Sequence, residues 1–231
     1  MRFSEAFGIE RTDQDDWFDP DLSIDTPLFV DPIMLLQDSP YWRKAHEELV
    51  NHFGHCYPLV AKSISLTSNS AKVAQKLLTF PEPSEFCLGY TASGTAGSGS
   101  GRGFARSLVD GIKVAIKAGL DVPAHIEELG ILNEGFGADR ISDATCNVLK
   151  HRFIAYTQEV CRRHDIPMYT HSIKNSRVDL SINRWITEQV PLPSTPIDNR
   201  PIILVPERFL NDLPVLNADD WFNSSLNADL R

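Results

Sequence analysis

The sequence predicts an α+β fold that is predominantly helical and has a few short strands. Apolar residues recur every three or four positions over several long stretches, which is typical of amphipathic helices. Apolar and polar residues alternate over one short stretch, which is typical of a strand. The strand-like stretches do not alternate with helices in the rhythm of a parallel sheet, so a doubly wound fold is not predicted. A chain of 231 residues with 42% hydrophobic residues can bury a substantial core.

Helices are predicted where apolar residues recur at helical spacing, and three of them follow a residue that can cap a helix. Asp31 suits an N-cap, and Pro32 suits the first helical position after it. Asn69 or Ser70 can cap a later helix, and Asp139 can cap the long helix that extends to about His164. The predicted helices cover residues 32–36, 40–66, 70–80, 104–119, 123–132 and 139–164.

Strands are predicted in three places. Residues 178–186 alternate between apolar and polar side chains, and residues 202–205 form a short apolar run that we interpret as a buried strand. Residues 86–90 form a third candidate. Five prolines between Pro191 and Pro206 mark a stiff connection that contains the second of these strands.

The charge pattern divides the chain into three parts. We predict an acidic N-terminal segment over residues 1–24, a single α+β domain over residues 25–214 and a C-terminal segment over residues 215–231. The net charge is −9, and most of it lies at the two ends. Residues 140–184 are mildly basic, with eight Lys or Arg and four Asp or Glu. This excess is too small to indicate a nucleic-acid-binding surface by itself.

Nothing in the composition indicates a membrane or an oxidising compartment. The chain has no run of the ~18 apolar residues that a membrane helix needs. The residues after Met1 lack the apolar core of a secretory signal. The four cysteines have no CxxC spacing, which argues against a zinc ribbon and against a disulfide framework. We therefore expect a cytoplasmic protein with no membrane partner.

Residues 89–103, GYTASGTAGSGSGRG, are the most distinctive segment and hold six of the thirteen glycines. Glycine is costly to order, so this density before a predicted helix suggests a linker or a backbone that comes close to a ligand. A helix N-terminus favours an anion. Arg102 and Arg106 oppose the helix dipole there, and a bound phosphate or carboxylate would reverse that cost. The alternative is a flexible loop in which Arg106 pairs with Asp110.

This predicted anion site matches no nucleotide-binding motif in strict form. Both GxxxxGK[ST] and GxGxxG fail within the segment, so the sequence names no cofactor. The predicted ligand-binding residues are Gly97, Gly99, Gly101, Arg102, Arg106 and, from a later helix, Asn147.

A polar stripe on the predicted 139–164 helix is the second candidate site. Asp139, Asp143, Asn147 and His151 recur every four residues and so share one face. Carboxylates and imidazoles bind metals and transfer protons, which makes Asp139, Asp143 and His151 the candidate catalytic residues. Asp143 and His151 are ~12 Å apart along the axis, too far to bind one ion together. The structural alternative is that these residues suit the cap and the helix dipole.

Two further groups are weaker candidates. Arg152 lies in the apolar arc of the same helix close to Glu159, which suggests a buried ion pair or an interface residue. His52, His55 and Cys56 have a spacing that allows a zinc chelate. No second pair of ligands at motif spacing appears, so we predict no metal site.

Common hydrolase motifs are missing from the sequence. It contains no GxSxG elbow, no HExxH and no RxxxxH. It also contains no Asp or Glu two positions before a Lys, and that triplet is the usual core of restriction-type nucleases. We therefore expect that this chain alone does not cut nucleic acid.

Five segments together resemble the N-terminal region of a poorly characterised group of bacterial restriction and phage-defence proteins. In that group the region is followed by a PD-(D/E)XK nuclease domain, which is absent from this sequence. Phe136 departs from the small aliphatic residue that the group's motif has at this place. The segments are DTPLFVDP, LGYT, EGFGADRISDATCNVL, YTQ and PIILVPERFLNDLP, at residues 25–32, 88–91, 134–149, 156–158 and 201–214.

The resemblance and the two candidate sites together predict a function. We expect a non-catalytic sensing or targeting module of a bacterial antiphage or restriction-type defence protein, which binds an anionic ligand or nucleic acid. Its partners would be a nuclease domain or partner chain and a nucleic acid or nucleotide, and a homo-oligomer is left open. One alternative is a metal-dependent hydrolase, of phosphodiesters or small molecules, that uses Asp139, Asp143 and His151. Another is a structural assembly domain.

Overall fold

Helices predominate over strands in the structure. The computed structural model describes residues 1–63, 68–89, 100–117, 119, 122, 125–129 and 136–211, with positions 100–102 and 104 described by their backbone alone. In this part of the chain the fold is α+β, which confirms the predicted class, and none of its helices is long and apolar enough to cross a membrane. The helices are α1 Phe3–Phe7, α2 Pro32–Leu36, α3 Pro40–Ala61, α4 Asn69–Leu77, α5 Ser100–Lys117, α6 Ala138–Val148 and α7 Lys150–Arg163. The strands are β1 Phe29–Val30, β2 Tyr169–Asp179, β3 Arg184–Leu192 and β4 Leu210–Asn211.

The first two predicted helices form as their sequences indicate. The Asp31 carboxylate accepts a hydrogen bond from the Ile33 backbone N–H at 3.0 Å, and Pro32 occupies the first turn of α2. α3 begins at Pro40 as predicted and ends at Ala61, before its predicted end. Its buried side chains recur at helical spacing and lie at the centre of the main core.

α4 and α5 both begin earlier than predicted. The Ser68 hydroxyl caps α4 by accepting a hydrogen bond from the Ala71 backbone N–H at 3.3 Å. α5 begins at Ser100, inside the glycine-rich segment and a turn before its predicted start. Of the predicted 123–132 helix, only residues 125–129 belong to the described part of the chain.

The predicted 139–164 helix is in fact two helices. α6 ends at Val148 and α7 begins at Lys150, and Leu149 between them has φ −98° and ψ 10°. Gly137 is the N-cap of α6, so Asp139 lies in the first turn and does not cap the helix as predicted. Its carboxylate still lies at the end of the helix that favours negative charge. The break divides the predicted polar stripe between two helices.

The predicted strand over residues 178–186 is wrong, because these residues span the turn of a β-hairpin. β2 and β3 pair antiparallel from Tyr169 opposite Leu192 to Asp179 opposite Arg184. A bulge interrupts β2 near its middle. Apolar and polar residues keep alternating through the turn, so the turn cannot be recognised from the hydrophobic pattern of the sequence.

The two other predicted strands form no ladder in the described structure. Residues 202–205 are buried as expected, but the Leu204 N–H donates to the Thr157 hydroxyl at 2.8 Å rather than to a strand. The segment before the glycine-rich residues has one isolated bridge, between Leu88 and Thr26. β1 pairs instead with β4, so that residues 29–30 lie beside residues 210–211.

The core has two parts, and the acidic N-terminal segment belongs to the second. The larger cluster joins α3 to α7 and the hairpin. In the smaller one Phe3, Trp17 and Leu22 pack against Val160 of α7 and against Leu204. These three side chains are almost completely buried. The N-terminal segment therefore packs against the rest of the structure.

Arg152 is buried as predicted, but its partner is not Glu159. Its guanidinium donates hydrogen bonds to the carboxylate of Glu48 on α3 at 3.0 and 2.6 Å. Glu159 instead pairs with Arg163 at 3.7 Å. The ion pair therefore joins two helices that are distant in the sequence.

Candidate functional site

A cavity of about 800 Å³ lies between α4, α5 and the β2–β3 hairpin. This volume is within the range of small-molecule binding sites. One wall comes from α4 and the residues after it, a second from the start of α5, and a third from the hairpin. The described lining residues are Lys72, Gln75, Lys76, Thr79, Pro81, Ala105, Arg106, Asn175, Asn183, Arg184 and Trp185.

The charge of this pocket is positive. Lys72, Lys76, Arg106 and Arg184 provide four cationic side chains, and no Asp or Glu is among the described lining residues. None of the four forms an ion pair in the part of the chain that the structure describes; Arg106, for example, does not pair with Asp110. Like charges gathered in one concave site without a counter-charge raise the local concentration of anions.

The amphipathic pattern of α4 explains how two of these cations reach the pocket. Gln75 and Lys76 lie three and four residues after Lys72, and Thr79 lies four and three residues after them, so all four share one face. The Thr79 hydroxyl donates to the Gln75 carbonyl at 2.6 Å and extends that face beyond the last helical turn. The opposite face of α4 is buried through Ala71, Ala74 and Leu77.

Trp185 forms a fixed aromatic part of the wall. Its indole N–H donates to the Lys76 carbonyl at 3.0 Å, which ties β3 to α4. Its ring lies 5.4 Å from the His52 ring and 6.1 Å from the Phe80 ring. His52 donates in turn to the Leu77 carbonyl at 3.0 Å, and burial lowers the pKa of its imidazole to about 4. This histidine is therefore a neutral residue of the core and supports the indole.

Two asparagines of the hairpin line the pocket with defined orientations. Asn175 lies in the bulge and Asn183 in the turn, and both have positive φ, of 51° and 55°. The Asn183 carbonyl oxygen contacts His55 Nε2 at 2.7 Å, and because an oxygen can only accept, this imidazole nitrogen carries the proton. The Asn175 amide donates to the Asn147 carbonyl oxygen at 3.3 Å. In each asparagine, one polar group of the side-chain amide is therefore hydrogen-bonded within the protein.

Asn147, predicted to bind the ligand, is completely buried and does not line the pocket. Its amide donates to the Pro81 carbonyl at 2.7 Å and to the Asp143 carbonyl at 2.9 Å, and its oxygen accepts from Asn175. Because all these partners are protein groups, Asn147 acts on the pocket through them. It orients two lining residues, Pro81 and Asn175.

The residues predicted around the glycine-rich segment are only partly within the described chain. Gly97 and Gly99 lie outside it. Gly101 and Arg102 belong to the first turn of α5, where the backbone alone is described. Arg106 is exposed and lines the pocket one turn further along.

A second feature is a group of carboxylates at the start of the glycine-rich segment. Asp143 is buried, and burial raises the pKa of its carboxyl to about 8, with Asp139 and Glu82 adding to the rise and Arg140 opposing it. The Asp143 carboxylate lies 3.6 Å from the Arg140 guanidinium. A Cβ at Gly89 would lie 3.9 Å from Asp139 Oδ1 and 4.0 Å from Glu82 Oε1. At neutral pH Asp143 is therefore protonated beside two other carboxyl groups.

His151, the third candidate catalytic residue, has different partners from the two aspartates. Its Nε2 lies 3.3 Å from the Glu48 carboxylate, beside the pair that Glu48 forms with Arg152. Among the residues that the structure describes, no three His, Cys, Asp or Glu side chains are grouped so that they could hold a metal ion. The structure brings Asp139 and Asp143 together and leaves His151 elsewhere.

The histidines and cysteine of α3 have structural roles. His52 supports Trp185 and His55 holds Asn183. Cys56 is buried, and burial raises the pKa of its thiol to about 12, so it is not a thiolate ligand.

Sequence reasoning missed most of the pocket. Helical spacing could have placed Lys72 and Lys76 together, because both lie on the polar face of a predicted helix. The hairpin residues Asn183, Arg184 and Trp185 fall within the stretch that was predicted as one strand, so no local pattern places them at a turn. Asn175 precedes that stretch and meets the pocket only through the bulge.

A comparison with known families matches almost the whole chain. The family model of a domain of unknown function (DUF8370) covers residues 8–217. Neither a curated protein nor a solved structure matches the chain. The match includes every described element from β1 to β4 and all the residues that line the pocket. The chain therefore belongs to the family defined by this domain of unknown function, DUF8370.

Proposed function

We propose that this chain is a non-catalytic module that binds an anionic ligand in the pocket between α4, α5 and the hairpin. The observation that carries the proposal is the meeting of Lys72, Lys76, Arg106 and Arg184 in one cavity whose described lining has no carboxylate. Four like charges that line one cavity repel one another when no anion is bound. A phosphate or carboxylate removes that repulsion, and it gains charge-assisted hydrogen bonds from the arginines.

The overall charge of the chain favours a compact anion over a long duplex. The net charge is −9, so the field at a distance repels a polyanion, whereas the pocket attracts an anion locally. A protein that follows a nucleic-acid backbone usually has an extended basic face. The four cations instead converge on a single cavity, which suits a small anion or the phosphorylated end of a strand.

The sensing or targeting role extends this binding proposal. It rests on the resemblance to the N-terminal region of restriction and phage-defence proteins, in which a PD-(D/E)XK nuclease domain follows. In that arrangement the pocket would recognise a ligand, and a nuclease domain or partner chain would act on nucleic acid. The cytoplasm is the compartment in which such a role would be exercised.

The hydrolase alternative is supported by one arrangement, the buried Asp143 with Asp139 and Glu82 near it. Strongly shifted pKa values of buried carboxyl groups cluster at functional sites. His151 would not take part, because it contacts Glu48 instead. Incubation with single- and double-stranded DNA and RNA, with magnesium or manganese, tests this alternative. Metal-dependent degradation that Asp143→Ala abolishes would favour it over the binding module.

Calorimetry with unlabelled ligands tests the binding proposal. Inorganic phosphate, mononucleotides and short oligonucleotides are titrated into the full chain at low salt. Arg106→Ala and Arg184→Ala should each weaken the binding of any phosphate that the wild type binds by about tenfold, as expected for one lost charge-assisted contact. Arg177→Ala is the matched control, because Arg177 lies on the same hairpin but pairs with Glu188 and does not line the pocket.

Two results would contradict the proposal. One is the absence of binding for every phosphate compound at low salt. The other is an equal loss of affinity in the Arg177→Ala control, which would mean that only the total charge matters. A chain that binds nothing in this assay would favour the structural assembly domain.

A further inference from the structure

We infer that the ligand of this pocket carries a nucleobase as well as a phosphate, so that it is a nucleoside phosphate or the phosphorylated end of a single strand. The inference rests on the proposed function and names the substrate class of the same site. Its starting point is that the pocket combines cations with an aromatic ring and carboxamides. α4 and α5 provide Lys72, Lys76 and Arg106, whereas the hairpin provides an indole and two carboxamides beside a fourth cation, Arg184.

The size of the cavity argues against a bare inorganic anion as its sole occupant. A volume of about 800 Å³ is far larger than a phosphate group, which would contact the cations and leave the indole and the two asparagines without a partner. A ligand that fills the pocket therefore needs a second part beside its anionic group. That part must suit the surface of Trp185 and the two asparagines.

Trp185 provides a platform for a flat ring. Its N–H is already used by the Lys76 carbonyl, so the indole offers the pocket an apolar surface and no further donor. His52 and Phe80 pack against the ring and fix its position, which lowers the entropy that stacking would cost. Nucleobases stack on such side chains with little dependence on sequence.

The two asparagines provide one donor and one acceptor next to this platform. The Asn183 oxygen accepts from His55, which leaves its NH₂ group as the donor. The Asn175 NH₂ group donates to Asn147, which leaves its oxygen as the acceptor. Nucleobase edges present donors and acceptors side by side, and carboxamides pair with them readily. Sugars and simple carboxylates offer no flat ring with such an edge.

The test compares ligands that differ only in the base. Wild-type protein is titrated with AMP, GMP, CMP, UMP, ribose 5-phosphate and inorganic phosphate. We expect at least one nucleotide to bind about tenfold or more tightly than ribose 5-phosphate, since stacking on one aromatic side chain contributes on that order. Trp185→Ala should reduce the affinity for that nucleotide to the level of ribose 5-phosphate, and Trp185→Phe should keep most of the preference.

Two outcomes separate this inference from the proposed function. If ribose 5-phosphate and all the nucleotides bind with equal affinity, the inference of a nucleobase is overturned, and the proposed anion site is still supported. No binding of any phosphate compound overturns both. If Trp185→Ala does not fold, the comparison of ligands on the wild type decides alone.

A further arm identifies the source of the nucleobase. A short 5′-phosphorylated single-stranded oligonucleotide is titrated beside the mononucleotides. Tighter binding of the oligonucleotide supports the inference and assigns the site to a strand end. Tighter binding of a mononucleotide supports the inference and assigns it to a free nucleotide. A preference for an abasic oligonucleotide of the same length over the normal one would overturn the inference.

Discussion

Arg152 donates two hydrogen bonds to the carboxylate of Glu48, at 3.0 and 2.6 Å, and so links α7 to α3 through a bidentate ion pair. A third hydrogen bond runs from the same guanidinium to the Tyr41 carbonyl at 2.8 Å. The guanidinium also lies 4.5 Å above the Tyr41 ring. Arg152 is buried by these contacts, whereas the Glu48 side chain is 43% exposed.

Replacing Arg152 should destabilise the fold. A fully buried ion pair that loses one partner costs about 3–5 kcal/mol, and the partial exposure of Glu48 reduces this to about 1–3 kcal/mol for Arg152→Met. Urea unfolding with an unchanged m-value measures the difference. Arg177→Met is the control, because its exposed pair with Glu188 should contribute less than about 1 kcal/mol. Equal losses of unfolding free energy in the two variants would show that the Arg152–Glu48 pair stabilises the fold no more than an exposed ion pair does.

The stability of the fold should depend on the protonation of Asp143. The pKa of this carboxyl is raised from 3.8 to about 8 by burial and by Asp139 and Glu82. The folded state therefore binds a proton that the unfolded chain releases above about pH 4. The stabilisation is complete below that pH and is lost as the pH rises through about 8.

Asp143→Asn isolates this effect, because an amide keeps the shape of the neutral carboxyl without titrating. Between about pH 5 and 8, the free energy of unfolding of the wild type should fall relative to the variant by on the order of 2–4 kcal/mol. Glu127, whose pKa is raised to about 7 by burial, acts in the same direction and cancels in the difference. Parallel pH profiles for the two proteins would mean that Asp143 is ionised when folded.

Binding of an anion in the pocket should weaken with salt. The four cations are at the surface of an open cavity, and at about 1 M salt the Debye length falls to about 3 Å. We expect the dissociation constant of a bound mononucleotide to rise about tenfold or more between about 0.05 and 1 M salt. Sodium chloride and potassium chloride should act alike. An affinity that does not change with salt would point to a ligand held without the cations.

The four cysteines should be unreactive in the folded protein. All four are buried and free, and burial raises the pKa of Cys56 to about 12, of Cys87 to about 11 and of Cys161 to about 12. The pKa of Cys146 is raised in the same direction, by burial and by Asp143. A disulfide reagent at about pH 8 should therefore label the thiols only after unfolding. Rapid labelling of one native thiol would indicate local opening around that residue.

Local sequence patterns predicted the elements whose cause is local. The cap at Asp31, the proline starts of α2 and α3, and the helical class of the fold all depend on neighbouring residues. The break at Leu149 did not follow from the sequence, because apolar spacing continues through it. The turn of the hairpin was hidden in the same way, since Asn183 supplies the positive φ without a glycine.

The residues of the candidate site were likewise predicted only where their position depends on local sequence. Arg106 was predicted from its place at a helix start, and it lines the pocket. Lys76, Trp185 and Asn175 come together only because the hairpin folds back onto α4, and no single segment contains that information. The polar stripe through Asp143 and His151 assumed one continuous helix. Once the helix breaks, His151 meets Glu48 instead.

The origin of the pocket walls has a mechanical consequence. Lys72 and Trp185 both line the cavity although they are far apart in the chain. A molecule that contacts both would act as a removable cross-link between the helical body and the hairpin. Binding to the folded state alone adds about 2.7 kcal/mol of stability when the ligand is at about 100 times its dissociation constant. Occupancy would therefore be visible as a rise in melting temperature, and a library of unlabelled metabolites could be screened by heat alone.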